Sequence, residues 1–215
     1  MVEIFKEIDD SVIKKVVRAI DNGGVVCFPT ETVYALVADA AQDEAVNKIY
    51  QIKQRSLNKP LSILVSDTKQ ANRIVHFDSR SQKLSLKFYP GPLTMVMRTK
   101  DNNNLSTLIN KGLGTVGIRI PSHILSLKII KAVGRPIIGT SANISGESNK
   151  AIYPDDIIET IGDKLDIMID TGKTELGMES TIIDLSSPNS FKIIREGAIR
   201  KEDIIAELQE TEVNG

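Results

Sequence analysis

The sequence predicts an α/β protein: a single-domain, twisted mixed sheet with helices on its faces. Helical and strand patterns alternate along the chain, and tight hairpin signals between the strands are few, which disfavours an antiparallel meander. The last two strand patterns are closely spaced and predict an antiparallel pair. At 215 residues the chain is long enough for one sizeable core. We expect one domain over residues 1–200, followed by a C-terminal helix and tail over 201–215.

Individual elements follow from periodicity and stop signals. Gly23 ends the first helix, and Pro90 lies just beyond the third. The patterns predict helices at 11–22, 43–54, 79–88, 122–132 and near 202–208. They predict strands at 25–28, 61–65, 93–98, 116–120, 136–139, 167–170, 181–185 and 191–195.

The stretch GGVVCFPTETVYALVAD, residues 23–39, brings polar side chains to the rim of a core. An apolar run ends at Pro29, which fixes its own φ and favours an extended conformation before it. Thr30, Glu31 and Thr32 are then expected to cap a turn of helix that continues through Tyr34 and Leu36.

Composition restricts the possible functions. The net charge is −1, which argues against a uniformly basic surface and against stable DNA binding. Between Arg98 and Gly146, however, seven cationic residues accompany one acid, Asp101. A local positive lining of this kind suits a small anionic ligand, although clustered surface cations are the alternative.

The single cysteine, Cys27, excludes an internal disulfide or a cysteine-based zinc site, and no carboxylate cluster has metal-ligand spacing. No apolar stretch reaches the length of a membrane span, and the first ten residues are too acidic for a signal peptide. We therefore expect a cytoplasmic protein with no membrane association.

Two motifs suggest activities that their context excludes. Gly112, Gly114 and Gly117 spell G-x-G-x-x-G, but this run opens a strand instead of a helix and lacks the acid of a dinucleotide site. Ser141 lies on a turn after a strand, yet GTSAN lacks the second glycine of a nucleophile elbow. Hydrolase and Rossmann chemistry are therefore disfavoured.

Lys53, Arg55 and Lys59 belong to a segment, KIYQIKQRSLNK, that contains no acid. Arginine offers a planar fork and lysine a point charge to phosphate, so these residues predict a phosphate site. A solvated helix end, which the helix dipole also favours for cations, is the alternative. Ser141 and Asn143 predict neutral donors to phosphate oxygens, unless they only satisfy their own turn.

Seven motifs in order carry a resemblance to a known family: PTETVY, KQRSLNKPLSIL, PGPLT, VGIRIP, SANISG, ESTIIDL and IIREGAI. Together they resemble the YrdC-type threonylcarbamoyl-AMP synthases of tRNA modification, over about residues 23–199. The resemblance implies a YrdC-like catalytic domain, which makes L-threonylcarbamoyl-AMP from ATP, L-threonine and bicarbonate or CO2 and releases pyrophosphate. It further implies Mg²⁺ with ATP and a downstream tRNA threonylcarbamoyl transferase complex as partner.

Site residues follow from the same resemblance, motif by motif. Their implied roles are catalysis for Lys53, Arg55, Ser141 and Asn143; ATP binding for Arg55, Lys59, Thr115, Ser141, Asn149 and Arg195; and threonine binding for Thr32, Arg119 and Ser180. Lys53 and Asn143 would also line the ATP side. No protein metal ligand is implied, so the phosphates would hold most of the Mg²⁺ coordination.

The chain departs from the family pattern at three positions. Ala35 and Val37 replace usual glycines, and Glu196 follows Arg195 where the family has Pro or Gln. Two other functions remain open. An RNA- or ribosome-binding translation factor would use the same cations, although only 4% of the residues are aromatic. Carbamoyl transfer through a carbamoyl adenylate, as in hydrogenase maturation, uses a similar domain within much longer chains.

Overall fold

The computed structural model describes residues 2–147 and 150–209. These residues form ten strands in one mixed sheet, together with seven α-helices and two short 3-10 helices at Thr107–Ile109 and Gly162–Lys164. The strands are β1 (Glu3–Phe5), β2 (Val26–Phe28), β3 (Ala35–Val37), β4 (Ser62–Leu64), β5 (Leu93–Arg98), β6 (Thr115–Arg119), β7 (Ile137–Ser141), β8 (Ile167–Ile169), β9 (Thr181–Asp184) and β10 (Lys192–Arg195). The helices are α1 (Asp10–Asp21), α2 (Asp43–Ile52), α3 (Thr68–Asn72), α4 (Ser79–Phe88), α5 (Ile124–Val133), α6 (Pro154–Ile161) and α7 (Lys201–Gln209).

The sheet order is β1-β8-β2-β3-β7-β4-β6-β5-β9-β10. Four neighbouring pairs are parallel: β1 with β8, β8 with β2, β4 with β6, and β5 with β9. The other five are antiparallel, including the closing pair β9 and β10. The predicted mixed sheet is therefore confirmed, and its closely spaced final strands pair with each other.

Two hydrophobic clusters occupy the two faces of the sheet. Helices α1 and α5 pack against one face through Val16, Ile20 and Ile129. Helix α2 packs on the other face, where it contributes Val46 and Ile49. Because side chains alternate along a strand, β2 and β3 contribute buried residues to both clusters.

Residues 30–34 differ from the expectation of a helical turn. Thr30 accepts hydrogen bonds from the backbone of Thr32 and Val33 through its hydroxyl, so the polar residues form a compact turn. The chain then enters β3, which pairs antiparallel with β2 and β7. The helical prediction was wrong because β3 is buried on both faces, and a continuous apolar run does not distinguish a short helix from a buried strand.

Three elements had no prediction from the sequence: β1, α3 and α6. β1 lies at the edge of the sheet and its residues are largely exposed, so it lacks a strong apolar pattern. α3 has only five residues. No helix in the described part of the chain is long and apolar enough to cross a membrane.

Candidate active site

One cleft of about 380 Å³ brings together most of the side chains selected from the sequence. Its lining comes from seven strands and from the loops that follow β2, α2, β7 and β8. The selected residues that line it are Thr32, Lys53, Arg55, Lys59, Arg119, Ser141, Asn143, Ser180 and Arg195. Residues more than 160 positions apart in the sequence therefore share one concave surface.

Among the described residues, Thr115 is the selected residue that stands apart from this set. Thr115 begins β6, at the opposite end of that strand from Arg119, and is not among the residues that line the cleft. Its backbone carbonyl accepts a hydrogen bond from Asn110. Asn149 lies outside the described residues.

Small residues keep the floor of the cleft open. In register, Ser62 of β4 lies between Gly117 of β6 and Gly139 of β7. A Cβ atom at Gly139 would lie 2.3 Å from Cγ of Leu64, and one at Gly117 would lie 2.5 Å from Oγ of Ser62. Neither glycine can accept a side chain without displacing its neighbour, so both glycines are required by close packing.

Lys53 caps the C-terminal end of α2 and is 1% exposed. Its ammonium group donates to the carbonyls of Ser141, at 2.5 Å, and Asn143, at 2.8 Å, and to Oδ1 of Asn143 at 3.2 Å. The backbone N–H of Ser145 donates back to the Lys53 carbonyl. Lys53 therefore fixes the 141–145 turn, and its three donors are all directed at protein acceptors.

The pKa of Lys53 is lowered to about 8, mainly by burial and also by the nearby Arg55, while Glu179 opposes the shift. Desolvation disfavours the charged form of a buried amine, and several hydrogen bonds to carbonyl groups compensate only in part. The ammonium is thus one of the least solvated charges of the cleft.

Arg55 and Lys59 lie on the loop between α2 and β4. Arg55 donates to the carbonyls of Lys59 and Pro60, which holds its guanidinium against the backbone. Burial lowers the pKa of Arg55 from its usual value. Lys59 is exposed at the rim of the cleft, so it presents a solvated cation beside a partly buried one.

Arg195 ends β10, and its guanidinium faces two residues of the loop that precedes β9. Nη1 lies 2.5 Å from Oε2 of Glu179, and Nε and Nη2 donate to the carbonyl of Ser180 at 3.2 and 2.8 Å. The Ser180 hydroxyl is 2.9 Å from that of Thr94 on β5. A carboxylate, a hydroxyl pair and a guanidinium thus share one wall of the cleft.

Arg119 ends β6 and is 8% exposed. Its Nε donates to the carbonyl of Gly91, and its Nη2 lies 2.8 Å from Oε1 of Glu31. The contact with Glu31 is an ion pair without hydrogen-bond alignment, and within the described residues neither oxygen of Glu31 has a hydrogen-bond partner. Nε and Nη2 face Gly91 and Glu31, which leaves Nη1 as the guanidinium nitrogen that can meet a carboxylate in the cleft.

Strand register places the polar residues around Lys59 and those around Arg119 at opposite ends of β4. Arg119 pairs with Leu64 at the carboxyl end of β4, whereas Lys59 precedes the amino end of that strand. β7 runs antiparallel to β4, which places Ser141 at the Lys59 end. The cleft can therefore hold two anionic groups at once, one near Lys59 and Ser141 and the other near Arg119.

Several lining residues were not selected from the sequence. Thr94 comes from the PGPLT motif, and Glu179 directly precedes Ser180. Ser145 has a hydroxyl that is buried and has no hydrogen-bond partner among the described residues. Thr94 and Ser145 lie in the quoted motifs PGPLT and SANISG, but no chemical pattern distinguished them from ordinary strand or turn residues.

The described residues form a mixed sheet with a strongly cationic cleft on one face. The described lining residues of this cleft include no nucleophile–base pair. These features define a class of α/β proteins that bind anionic ligands. In the described part of the chain no group of three or more His, Cys, Asp or Glu residues is arranged to hold a metal ion.

Comparison with known proteins assigns the family. The family model named Sua5_yciO_yrdC, described as "Telomere recombination", matches residues 18–197. Threonylcarbamoyl-AMP synthases from Pyrococcus abyssi and Bacillus subtilis are each 34% identical, over 95% and 92% of this chain. The chain belongs to the Sua5/YciO/YrdC family. It spans 59% and 57% of the length of those two relatives.

A solved structure agrees with this assignment. The crystal structure of Pyrococcus abyssi Sua5 complexed with L-threonine superposes with a TM-score of 0.90 at 33% identity, covering 98% of this chain and 61% of that one. The YrdC-like fold predicted from the sequence is therefore confirmed.

Proposed function

We propose that the protein synthesises L-threonylcarbamoyl-AMP from L-threonine, bicarbonate or CO2, and ATP, with release of pyrophosphate. The product would pass to a tRNA threonylcarbamoyl transferase complex for N6-threonylcarbamoyladenosine formation. The observation that carries the proposal is the pairing, within one cleft, of a phosphate-type group of residues near Lys59 with a carboxylate-type site at Arg119. The relatives named as threonylcarbamoyl-AMP synthases support the same reaction.

The chemistry needs positioning more than a protein nucleophile. The threonine amine captures CO2 as a carbamate, and a carbamate oxygen attacks the α-phosphate of ATP while pyrophosphate leaves. Holding two reactants in contact and stabilising developing negative charge can supply most of the rate acceleration. Arg55, Lys59 and Arg195 would contact the phosphates, with Ser141 and Asn143 as neutral donors.

In this proposal the ammonium group of Lys53 does not act as a free ligand of the phosphates. Its donors hold the carbonyls of Ser141 and Asn143, so it would act chiefly by shaping the turn that receives the phosphates. Its positive charge would still stabilise them at short range.

Threonine would bind at the other end of the cleft. Arg119 would hold its carboxylate, and Thr32 and Ser180 would contact the remainder of the amino acid. Thr32 is already 2.8 Å from the Thr30 hydroxyl, and Ser180 is paired with Thr94. These hydroxyl pairs can each accept or donate one further hydrogen bond to a ligand.

Magnesium would enter with ATP as part of the substrate. The described cleft residues include two separate carboxylates, Glu147 and Glu179, among several cations. Since Mg²⁺ is commonly held by substrate phosphates with one or two carboxylates, this donor set favours coordination mainly by the phosphates.

The RNA-binding alternative fits the geometry less well. Lys53 and Arg119 are buried inside the cleft, whereas an RNA surface requires cations that reach a backbone from outside. An exposed platform of stacked aromatic residues, as RNA modules use, is also missing from the described cleft lining.

Labelled bicarbonate tests the proposal directly. With ATP, Mg²⁺ and threonine present, we expect labelled threonylcarbamoyl-AMP and pyrophosphate in equal amounts, each dependent on every substrate. Pyrophosphate formed equally without threonine, or a labelled adenylate formed only from carbamoyl phosphate, would contradict it. Tight tRNA binding that persists at high salt, without adenylate formation, would favour the RNA-binding alternative.

A further inference from the structure

Arg195, a proposed phosphate ligand, already carries an anionic partner supplied by the protein. Its Nη1 lies 2.5 Å from Oε2 of Glu179, while Nε and Nη2 are directed at the Ser180 carbonyl. All three nitrogens of the guanidinium therefore contact protein acceptors. These contacts use three of its five N–H groups, so a phosphate that approached Nη1 would compete with the Glu179 carboxylate for that nitrogen.

Glu179 is the contact that can open at least cost. Its backbone is fixed, because its carbonyl accepts from the N–H of Ala198 and a Cβ at Gly197 would lie 2.2 Å from that oxygen. Its side chain, by contrast, is 37% exposed, as is that of Arg195. Exposed ion pairs contribute little net stability, so the carboxylate can leave Arg195 while the main chain stays in place.

The same carboxylate also acts on the other cations of the cleft. The charge of Glu179 favours the protonated forms of both Lys53 and Arg55, against the desolvation that lowers their pKa values. Glu179 is thus electrostatically coupled to three cations that would face a triphosphate. A phosphate placed among them would meet Glu179 as a nearby like charge.

We propose that Glu179 is an internal counter-ion of Arg195, and that a phosphate group of the ligand replaces its carboxylate when it binds. The identity of that ligand as ATP rests on the function proposed above, whereas the replacement itself depends only on the geometry of the Glu179–Arg195 pair. The exchange preserves the charge balance at Arg195 and removes a carboxylate from the path of the phosphates. In consequence, the cleft binds anions less tightly than it would without Glu179, because binding must also displace the Glu179 carboxylate.

The test compares Glu179→Gln with Glu147→Gln. Both substitutions remove one negative charge from the lining of the same cleft, but only Glu179 pairs with Arg195. Binding of inorganic tripolyphosphate and of ATP, each without divalent cations, is measured by titration calorimetry at one ionic strength. We expect Glu179→Gln to tighten binding of both by about three- to tenfold, and Glu147→Gln by no more than about twofold.

Equal tightening by the two variants would mean that only net charge matters and would overturn the proposal. So would weaker binding by Glu179→Gln, which would show that the carboxylate helps to hold the ligand. Repeating the ATP titration with Mg²⁺ separates a metal-holding role, because a loss of affinity seen only with Mg²⁺ would assign the carboxylate to the metal and also overturn the proposal. Thermal unfolding of each variant checks that the fold is retained.

A second comparison isolates Arg195. Arg195→Met should weaken tripolyphosphate binding only slightly in the wild-type background, because breaking the pair offsets the lost contact, and several-fold more in the Glu179→Gln background. Equal losses in the two backgrounds would contradict a replacement at Arg195. Failure of the wild type to bind ATP while tripolyphosphate shows the expected pattern would reject the proposed function and leave the counter-ion role intact.

Discussion

Oε1 of Glu31 lies 2.8 Å from Nη2 of Arg119, and the two side chains form a nearly buried ion pair beside the cleft, 4% and 9% exposed. Glu31 is not itself a cleft-lining residue, whereas Arg119 is. The carboxylate therefore stands behind the guanidinium. Together with the Gly91 carbonyl on Nε, it leaves Nη1 as the nitrogen of Arg119 that can reach a ligand in the cleft.

Replacing Glu31 with alanine should destabilise the protein by about 3 to 5 kcal/mol, because removal of one partner leaves a buried charge uncompensated. Glu31→Gln should cost less, since it keeps the volume of the side chain and a polar oxygen beside the Arg119 guanidinium. Urea denaturation of both variants, with exposed Glu147→Ala as control, measures the difference. A loss of less than about 1 kcal/mol for Glu31→Ala would show that Arg119 finds another partner or water.

The Lys53 ammonium should make stability depend on pH in the alkaline range. Its pKa is about 8 in the folded protein, lowered by burial, against about 10.4 for an unfolded chain. Between these values the unfolded state binds a proton that the folded state has released, so the free energy of unfolding rises with pH through this group. Below pH 8 both states are protonated and the contribution is constant.

Lys53→Met removes this titration while preserving side-chain length. The stability of the wild type relative to the variant should therefore increase between about pH 8 and pH 10, and stay level from pH 6 to pH 7. Urea denaturation of both proteins at each pH gives the comparison. A constant difference up to pH 10 would mean that the hydrogen bonds to Ser141 and Asn143 keep Lys53 protonated.

The sequence predicted most of the fold because periodicity and stop signals are local. The patterns at 79–88 and 93–98 match α4 and β5 at both ends. Sequence patterns failed where contacts with distant segments decide the conformation. β3 is a strand because β2 and β7 supply hydrogen-bond partners on both sides, and nothing within residues 35–37 shows that.

The sequence predicted which residues belong to the candidate site, but it did not predict which contacts they make. Motif identity indicated Lys53, Arg119 and Arg195, and the structure brings all three into one cleft. Their partners were beyond reach of the sequence, because Glu31 pairs with Arg119 across 88 positions and Lys53 bonds Ser141 across the same separation. Contacts between distant segments depend on strand order, which periodicity does not encode.

Gly139 should not tolerate alanine. A Cβ there would lie 2.3 Å from Cγ of Leu64 and 2.8 Å from both its methyl carbons, and Leu64 is buried with little room to move. Overpacking of this kind costs about 1 to 3 kcal/mol. Gly162→Ala is the matched control, because Gly162 has helical φ and ψ and its nearest new contact is 3.3 Å away on Ile158. Thermal or urea unfolding should show a loss for Gly139→Ala alone; equal effects would indicate that Leu64 repacks freely.

Amino-acid selectivity tests the threonine end of the cleft. Serine lacks only the methyl group, whose apolar contact is worth about 1 to 3 kcal/mol, so it should react roughly ten- to two-hundredfold more slowly than threonine. Valine keeps the shape but loses the hydroxyl, and so leaves polar groups near Thr32 and Ser180 without a ligand partner. Since an unmet polar group in a closed site costs more than a lost methyl, valine should be the slowest of the three.

Arg119→Lys separates the carboxylate contact from the rest of the amino-acid site. Lysine keeps the charge but loses the planar edge, so kcat/KM should fall by a similar factor for threonine, serine and valine, because all three share the carboxylate. The dependence on ATP concentration should change little, and thermal unfolding should confirm that the fold survives the altered pairing with Glu31. Measurement of adenylate formation for each amino acid at saturating ATP gives these ratios. A variant that altered only the ATP dependence would place Arg119 with the nucleotide, and the threonine carboxylate would then require another cation of the cleft.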